Sequence, residues 1–138
     1  MLDISSMLRA NSSNVEVLHA IGSRAHLIAL LLVAVATLRI ASTYSVFSHT
    51  SDEPAHIACG MEWLSRGVYE YEEQHPPLTR VSAALGPYLD GARSTGNQNF
   101  MVEGLLLLRG SGRETYDRRL ALARLGILPF FWLASFAV

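Results

Sequence analysis

Two apolar blocks bracket the chain, and a polar, proline-punctuated stretch separates them. The first block runs from Ala25 to Leu38 and continues past Arg39 through Ile40, Tyr44, Val46 and Phe47. Crossing the hydrocarbon core of a bilayer takes about 20 residues, so the block predicts a membrane helix over 25–47. Its uninterrupted apolar part is shorter than that. Arg39 therefore belongs near one end, where its guanidinium can snorkel to the interface or face protein. A cleaved signal peptide is the rival reading, on the strength of Arg24 before the run and Ala34-Val35-Ala36 within it. The long, mostly polar segment ahead of the run favours an uncleaved helix. The second block follows Asp117-Arg118-Arg119 and extends from Leu120 to Val138, predicting a second span over 120–138. It is still apolar at Val138, so the chain is expected to be the N-terminal piece of a larger polytopic membrane protein.

The intervening pattern predicts short helices. Ser51-Asp52-Glu53-Pro54 is a helix start, with proline accepted in the first turn and Ser or Asp capping the free amides. That helix is expected to reach about Ser65 and stop at Gly67, with Ile57, Met61 and Leu64 at helical spacing and Trp63 suited to an interface. Tyr69-Glu70-Tyr71-Glu72-Glu73 predicts an extended acidic connector. His75-Pro76-Pro77 starts a second helix, with Leu78, Val81, Leu85 and Leu89 on one stripe and Pro87 and Gly91 at its end. A turn-rich loop over 91–99 precedes a third short helix, Phe100 to Leu108, before Gly110-Ser111-Gly112. None is long enough to span, so they are expected to lie along the membrane surface. Residues 1–24 form a solvated N-terminal segment with short amphipathic turns. The predicted fold is all-α and integral to the membrane: one span, an outer loop over 48–119 with juxtamembrane helices, and the start of a second span.

Composition adds little to this and removes some options. The chain has 138 residues, half of them hydrophobic, and a net charge of −1, which offers a nucleic acid no electrostatic footprint. A single cysteine, Cys59, excludes an intramolecular disulfide and a cysteine-based metal cluster; a buried, inert thiol is its expected role. Charge gives conflicting topology signals. Arg24 against Asp52 and Glu53 places the N-terminus in the cytoplasm, whereas Arg113, Arg118 and Arg119 argue the opposite. The positive-inside rule weakens for loops beyond about 60 residues, so the flanks of the first span decide and the loop is placed outside.

The outer loop concentrates titratable groups. Asp52 and Glu53 sit where a helix N-terminus stabilises negative charge, so at least one should be ionised and able to accept a proton from a hydroxyl or amine. Asp52 also has the simpler role of an N-cap open to it. Glu53 and His56 form the Glu-x-x-His spacing of carboxylate-bridged di-metal helices, but those sites need two copies and further glutamates, and one copy is present. His56 equally suits an interfacial position, and His75 can cap its helix or bind a neighbouring carbonyl. His19, His26 and His49 form no pattern.

Taken together, the order of these residues resembles a known family. A span, then Asp52-Glu53-x-x-His56 with Gly60 and Trp63 behind it, Gly67, the aromatic-acidic connector, His75-Pro76-Pro77-Leu78 and an arginine-flanked second span resemble the start of membrane glycosyltransferases of the dolichyl-phosphate-mannose protein mannosyltransferase type. These include the bacterial family 39 and aminoarabinose-transferase-like enzymes. The resemblance covers roughly residues 25 to 138. It implies the GT-C architecture of many transmembrane helices, with a first outer loop folded over the active site, and an inverting transfer of sugar from a polyprenyl-phosphate carrier to an acceptor protein or glycolipid outside the cytoplasm.

By that match Asp52 is the catalytic base and Glu53 its assistant, positioning the acceptor or a neighbouring side chain. His56, His75 and Arg80 are the substrate- and phosphate-binding candidates. For Arg80, a place among lipid headgroups is the competing role. The chain departs from the aminoarabinose branch where that branch has Glu-Lys-Pro, the lysine of which meets the lipid phosphate. Gln74 and His75 stand there instead. His75 can donate to a phosphate, especially when protonated, but Gln74 is a poor metal ligand. No cofactor and no metal ligands are assigned, and dependence on a divalent metal is left open. Two other classes stay in view: a non-enzymatic membrane-anchored interaction module, and a membrane metal enzyme using Glu53, His56 and His75. The piece is expected to be inactive alone, since further helices would supply most of the carrier groove.

Overall fold

The structure, a computed structural model, describes residues 24–137. The amphipathic turns expected in the N-terminal segment fall outside these residues, apart from Arg24. The described residues are helical, with no strand among them: α1 is Arg24–Ser42, α2 Glu53–Arg66, α3 Pro77–Leu89, α4 Phe100–Arg109 and α5 Arg113–Ala137. The chain divides into two compact units, 1–38 and 39–138.

In the first unit, the described residues are the apolar body of α1. This helix is long and apolar enough to cross a membrane, and none of its apolar window is buried within the chain. Arg39 falls in its last turn, the position the snorkelling argument requires. Residues 43–47 are tight turns rather than a continuation of the helix, with the Thr43 amide donating to the Ile40 carbonyl and the Val46 amide to that of Thr43.

The second unit is a helical cluster built on α2 and α5. Helix α3 lies against both of them, and so does α4. Two patches form the core. One joins Ile57, Ala83, Leu108, Leu120 and Ala123; the other joins Ala58, Met61, Ala84, Ala92 and Leu107. Half of these side chains are alanines, and the helices approach closely as a result. A Cβ on Gly60 would run into the Arg80 carbonyl, on Gly104 into that of Pro54, on Gly86 into that of Leu122, and on Gly126 into that of Ser82. Glycine at these four contacts, which lie on three helix crossings, lets backbones touch, the packing mode favoured where apolar burial cannot drive helices together. Helix α2 ends as its sequence predicts, with Gly67 at φ 71° and its amide donating to the Trp63 carbonyl.

Three features of these helices go beyond the sequence pattern. First, the Leu78-Val81-Leu85-Leu89 stripe of α3 faces outward at both ends, with Leu78 and Leu89 65% and 76% exposed, while Arg80, Ala83, Ala84 and Pro87 point inward. Small residues permit the close crossing with α2 and α5, and that requirement outranks side-chain hydrophobicity. Second, α5 starts at Arg113, well before Leu120, so the polar turns of 113–119 belong to the same helix as the apolar run. Asp90 binds both Arg118 and Arg119 there, and Arg119 also donates to the Leu107 carbonyl. Third, Asp52 occupies the N-cap position of α2 without capping through its side chain. Its backbone is helical at φ −105°, ψ −16°, and Pro54, at a position that would otherwise offer the cap an amide, has none to donate. Like α1, α5 is long and apolar enough to cross a membrane.

Candidate functional site

The starts of α2 and α3 and the middle of α5 converge on a cavity of about 330 Å³. Ile57, Pro76, Ala83, Ala123 and Ile127 make its walls apolar, and Glu53, His56, His75, Arg80 and Arg124 add polar groups. The volume falls within the range of small-molecule sites, about 300–1,000 Å³. Four of the five residues singled out from the sequence therefore line one space. The fifth, Asp52, does not line it but reaches it through His56, whose Nε2 lies 3.5 Å from Asp52 Oδ2.

A chain of polar contacts runs along one side. Arg80 Nε donates to His56 Nδ1 at 3.1 Å, so that nitrogen is the acceptor and the imidazole proton sits on Nε2, facing Asp52. Arg80 is 3% exposed and is held among side chains of the connector and α2. Its Nη1 donates to the Tyr69 hydroxyl and the Glu72 carbonyl, and its Nη2 to the Glu72 carboxylate. Glu72 Oε1 lies 2.8 Å from His75 Nδ1, and the Tyr69 hydroxyl donates to the His75 carbonyl. The series Asp52–His56–Arg80–Glu72–His75 links the two helix starts through the acidic connector.

Glu53 takes no part in that series. Both its oxygens accept from Arg124 of α5, from Nε at 2.8 Å and Nη2 at 2.9 Å. The same guanidinium donates to the carbonyls of Tyr44, Phe47 and Ser48, so all its donor directions are used. The Thr50 amide also donates to Glu53. Burial alone would raise the Glu53 carboxyl; the Arg124 guanidinium and the Thr50 amide outweigh it and hold the group below the usual glutamate range. At Asp52 the Thr50 hydroxyl, the residue's own amide and His56 together lower the carboxyl, despite slight desolvation. Glu72 is lowered mainly by the Arg80 guanidinium.

Sequence reasoning missed Arg124 and two buried glutamates. Arg124 was legible as a charge inside an apolar run, which demands a partner. Glu62, 1% exposed, accepts from the amides of Glu70 and Tyr71 and so fixes the connector. Glu103, fully buried, accepts from Ser94 and Thr95 side chains and from the Thr95 and Asn97 amides, which fixes the 94–97 loop. Each is a carboxylate amid helical apolar residues, a pattern that signals a buried acceptor. Both hold loops rather than facing the cavity. Cys59 is buried, and burial raises its thiol.

A metal centre built on Glu53, His56 and His75 does not assemble. Among the described residues no group of three or more His, Cys, Asp or Glu side chains comes together to hold an ion. Glu53 is bonded to Arg124, and His56 presents to Arg80 the lone pair a metal would need. Comparison with protein-family models, with curated proteins and with solved structures finds no match for this chain.

Proposed function

We propose that the chain is part of an inverting membrane glycosyltransferase that moves a sugar from a polyprenyl-phosphate carrier to an acceptor on the outer face of the membrane, with α1 and α5 as two of its spans. One observation carries this. An ionised carboxylate, Asp52, stands one side chain away from an apolar-walled cavity that contains two guanidiniums and borders a helix long enough to span a bilayer. An isoprenoid phosphate needs that combination: apolar walls for the first prenyl units, cations for the phosphate, and a base for the acceptor.

In this mechanism the acceptor oxygen attacks the anomeric carbon as its proton passes to Asp52, and the polyprenyl phosphate leaves with the electron pair of the broken C–O bond. Asp52 is the base because His56 has no free lone pair: Nδ1 accepts from Arg80 and Nε2 carries the proton. A phosphate leaving group needs little acid assistance, so contacts from the Arg80 guanidinium and the His75 imidazole complete a minimal set. Glu53 works through Arg124, holding the segment before α2 against α5.

A non-enzymatic membrane-anchored module is the second reading, favoured by the mutual pairing of the cavity's charges: Arg80 with Glu72, and Arg124 with Glu53. The discriminating experiment uses membranes carrying the protein and measures release of polyprenyl phosphate from a polyprenyl-phosphate-linked hexose. Asp52→Asn should abolish release while leaving the protein folded and inserted. Release at the wild-type rate by that variant would remove Asp52 as base, and absence of release by any form would favour the module.

A further inference from the structure

Two polar side chains that line the cavity, Arg80 and His75, share one carboxylate that does not line it. Arg80 Nη2 and His75 Nδ1 both meet the carboxylate of Glu72, which lies on the connector between α2 and α3 and does not line the cavity. The Glu72 side chain is 29% exposed while that of Arg80 is 3% exposed, so the carboxylate approaches from the solvent side and the guanidinium is fixed in the wall. His56 and Tyr69 hold Arg80 through other nitrogens. Losing Glu72 would therefore leave Arg80 in place with one donor released. His75 is 56% exposed and has no such anchorage.

Resting on the glycosyltransferase reading, we propose that Glu72 is an internal competitor for the carrier phosphate. It occupies the donors of Arg80 and His75 in the empty site, yields them to phosphate on binding, and retakes them as the product leaves. The charges of the two ligands give this a purpose. A polyprenyl-phosphate sugar is a phosphodiester with one negative charge, whereas the polyprenyl phosphate left after transfer is a monoester that gains a second ionisable oxygen. Unopposed, the Arg80 guanidinium and the His75 imidazole would hold the doubly ionisable product more tightly than the sugar donor. A carboxylate that competes for the same nitrogens weakens both, and it returns the site to its empty state. Glu72 thus determines how strongly the site discriminates by phosphate charge. Its neighbour Glu73 is exposed and does not line the cavity.

The probe is farnesyl phosphate, titrated into the full chain in detergent micelles, with farnesol and inorganic phosphate as parallel arms. Wild-type protein should bind farnesyl phosphate and not farnesol, and inorganic phosphate only weakly, since the apolar walls then contribute nothing. Glu72→Gln should bind farnesyl phosphate about fivefold more tightly, the gain expected from removing one partly exposed ionic competitor, with farnesol unchanged. Glu72→Asp, too short to bridge Arg80 and His75 together, should fall between, and Glu73→Gln should match wild type. Thermal melting establishes that each variant is folded. Equal or weaker binding by folded Glu72→Gln overturns the competitor role while leaving the glycosyltransferase reading intact. Failure of wild type and Glu72→Gln alike to prefer farnesyl phosphate over farnesol overturns both.

Discussion

Arg124 offers the sharpest test of how the site is held together. Its guanidinium joins α5 to Glu53 at the start of α2 and to three carbonyls of the turn before it. Replacing it with methionine keeps the aliphatic stem and deletes every one of these bonds. Breaking a buried ion pair by removing one partner costs about 3–5 kcal/mol. Here the side chains of Arg124 and Glu53 are 15% and 26% exposed, and solvent screening reduces the cost to roughly 2–3 kcal/mol. Arg124→Lys keeps the charge but not the fork, so it should lie between wild type and Arg124→Met. The sign of the pH dependence is the stringent part. The folded-state Glu53 carboxyl is lowered, so its contribution is fully present above the ordinary glutamate value and is lost as pH falls through the lowered one. Without Arg124, burial becomes the dominant influence and raises the group. Protonation would then relieve a penalty, and the gap between Arg124→Met and wild type should narrow on acidification. Melting in detergent from pH 7 to pH 4 reads this directly, and amide exchange over residues 44–56 locates it. A constant gap across that range, or unchanged protection of 44–56, would refute the latch.

Other perturbations follow from the same geometry. Gly60→Ala and Gly104→Ala should each destabilise by about 1–3 kcal/mol or more, because the new methyl meets a carbonyl of the facing helix rather than a movable side chain; melting temperatures check this. Gly67→Ala has open space around it and pays only for its φ of 71°, about 1–2 kcal/mol, so a larger loss there than at Gly60 would be evidence against close helix approach. Glu103→Gln leaves a buried amide among donors that all aim at a carboxylate, and limited proteolysis should cut the 94–97 loop faster than in wild type. Leu78→Ser and Leu89→Ser should leave the unfolding free energy within about 0.5 kcal/mol of wild type, as expected for exposed positions, and should weaken association with lipid vesicles if that stripe faces a bilayer.

Much of the local structure was legible before any coordinates. Proline at the starts of α2 and α3 and Gly67 after α2 act within one turn of backbone, so they are readable from neighbours alone. Asn99 caps α4 in the same local way, accepting from the Met101 and Val102 amides. The face of α3 was not legible, because Leu78 and Ala83 compete for the interior only once α2 and α5 come within reach. Hydropathy ranks them one way, and the crossing distance ranks them the other.

The candidate site divides along the same line. The sequence by itself singled out the candidate residues Asp52, Glu53, His56, His75 and Arg80, since ionisable groups packed around helix-starting prolines stand out from any connecting loop. It also determined that two stretches are apolar and long enough to span a membrane, because that depends on composition over about 20 residues and nothing else. Pairing was decided only by the tertiary structure. Glu53 and Arg124 are far apart in the chain, as are His56 and Arg80, and the partner of a charge depends on which helix backbone the intervening glycines allow to approach. That approach separated the adjacent carboxylates, binding Glu53 to α5 and leaving Asp52 exposed beside the cavity.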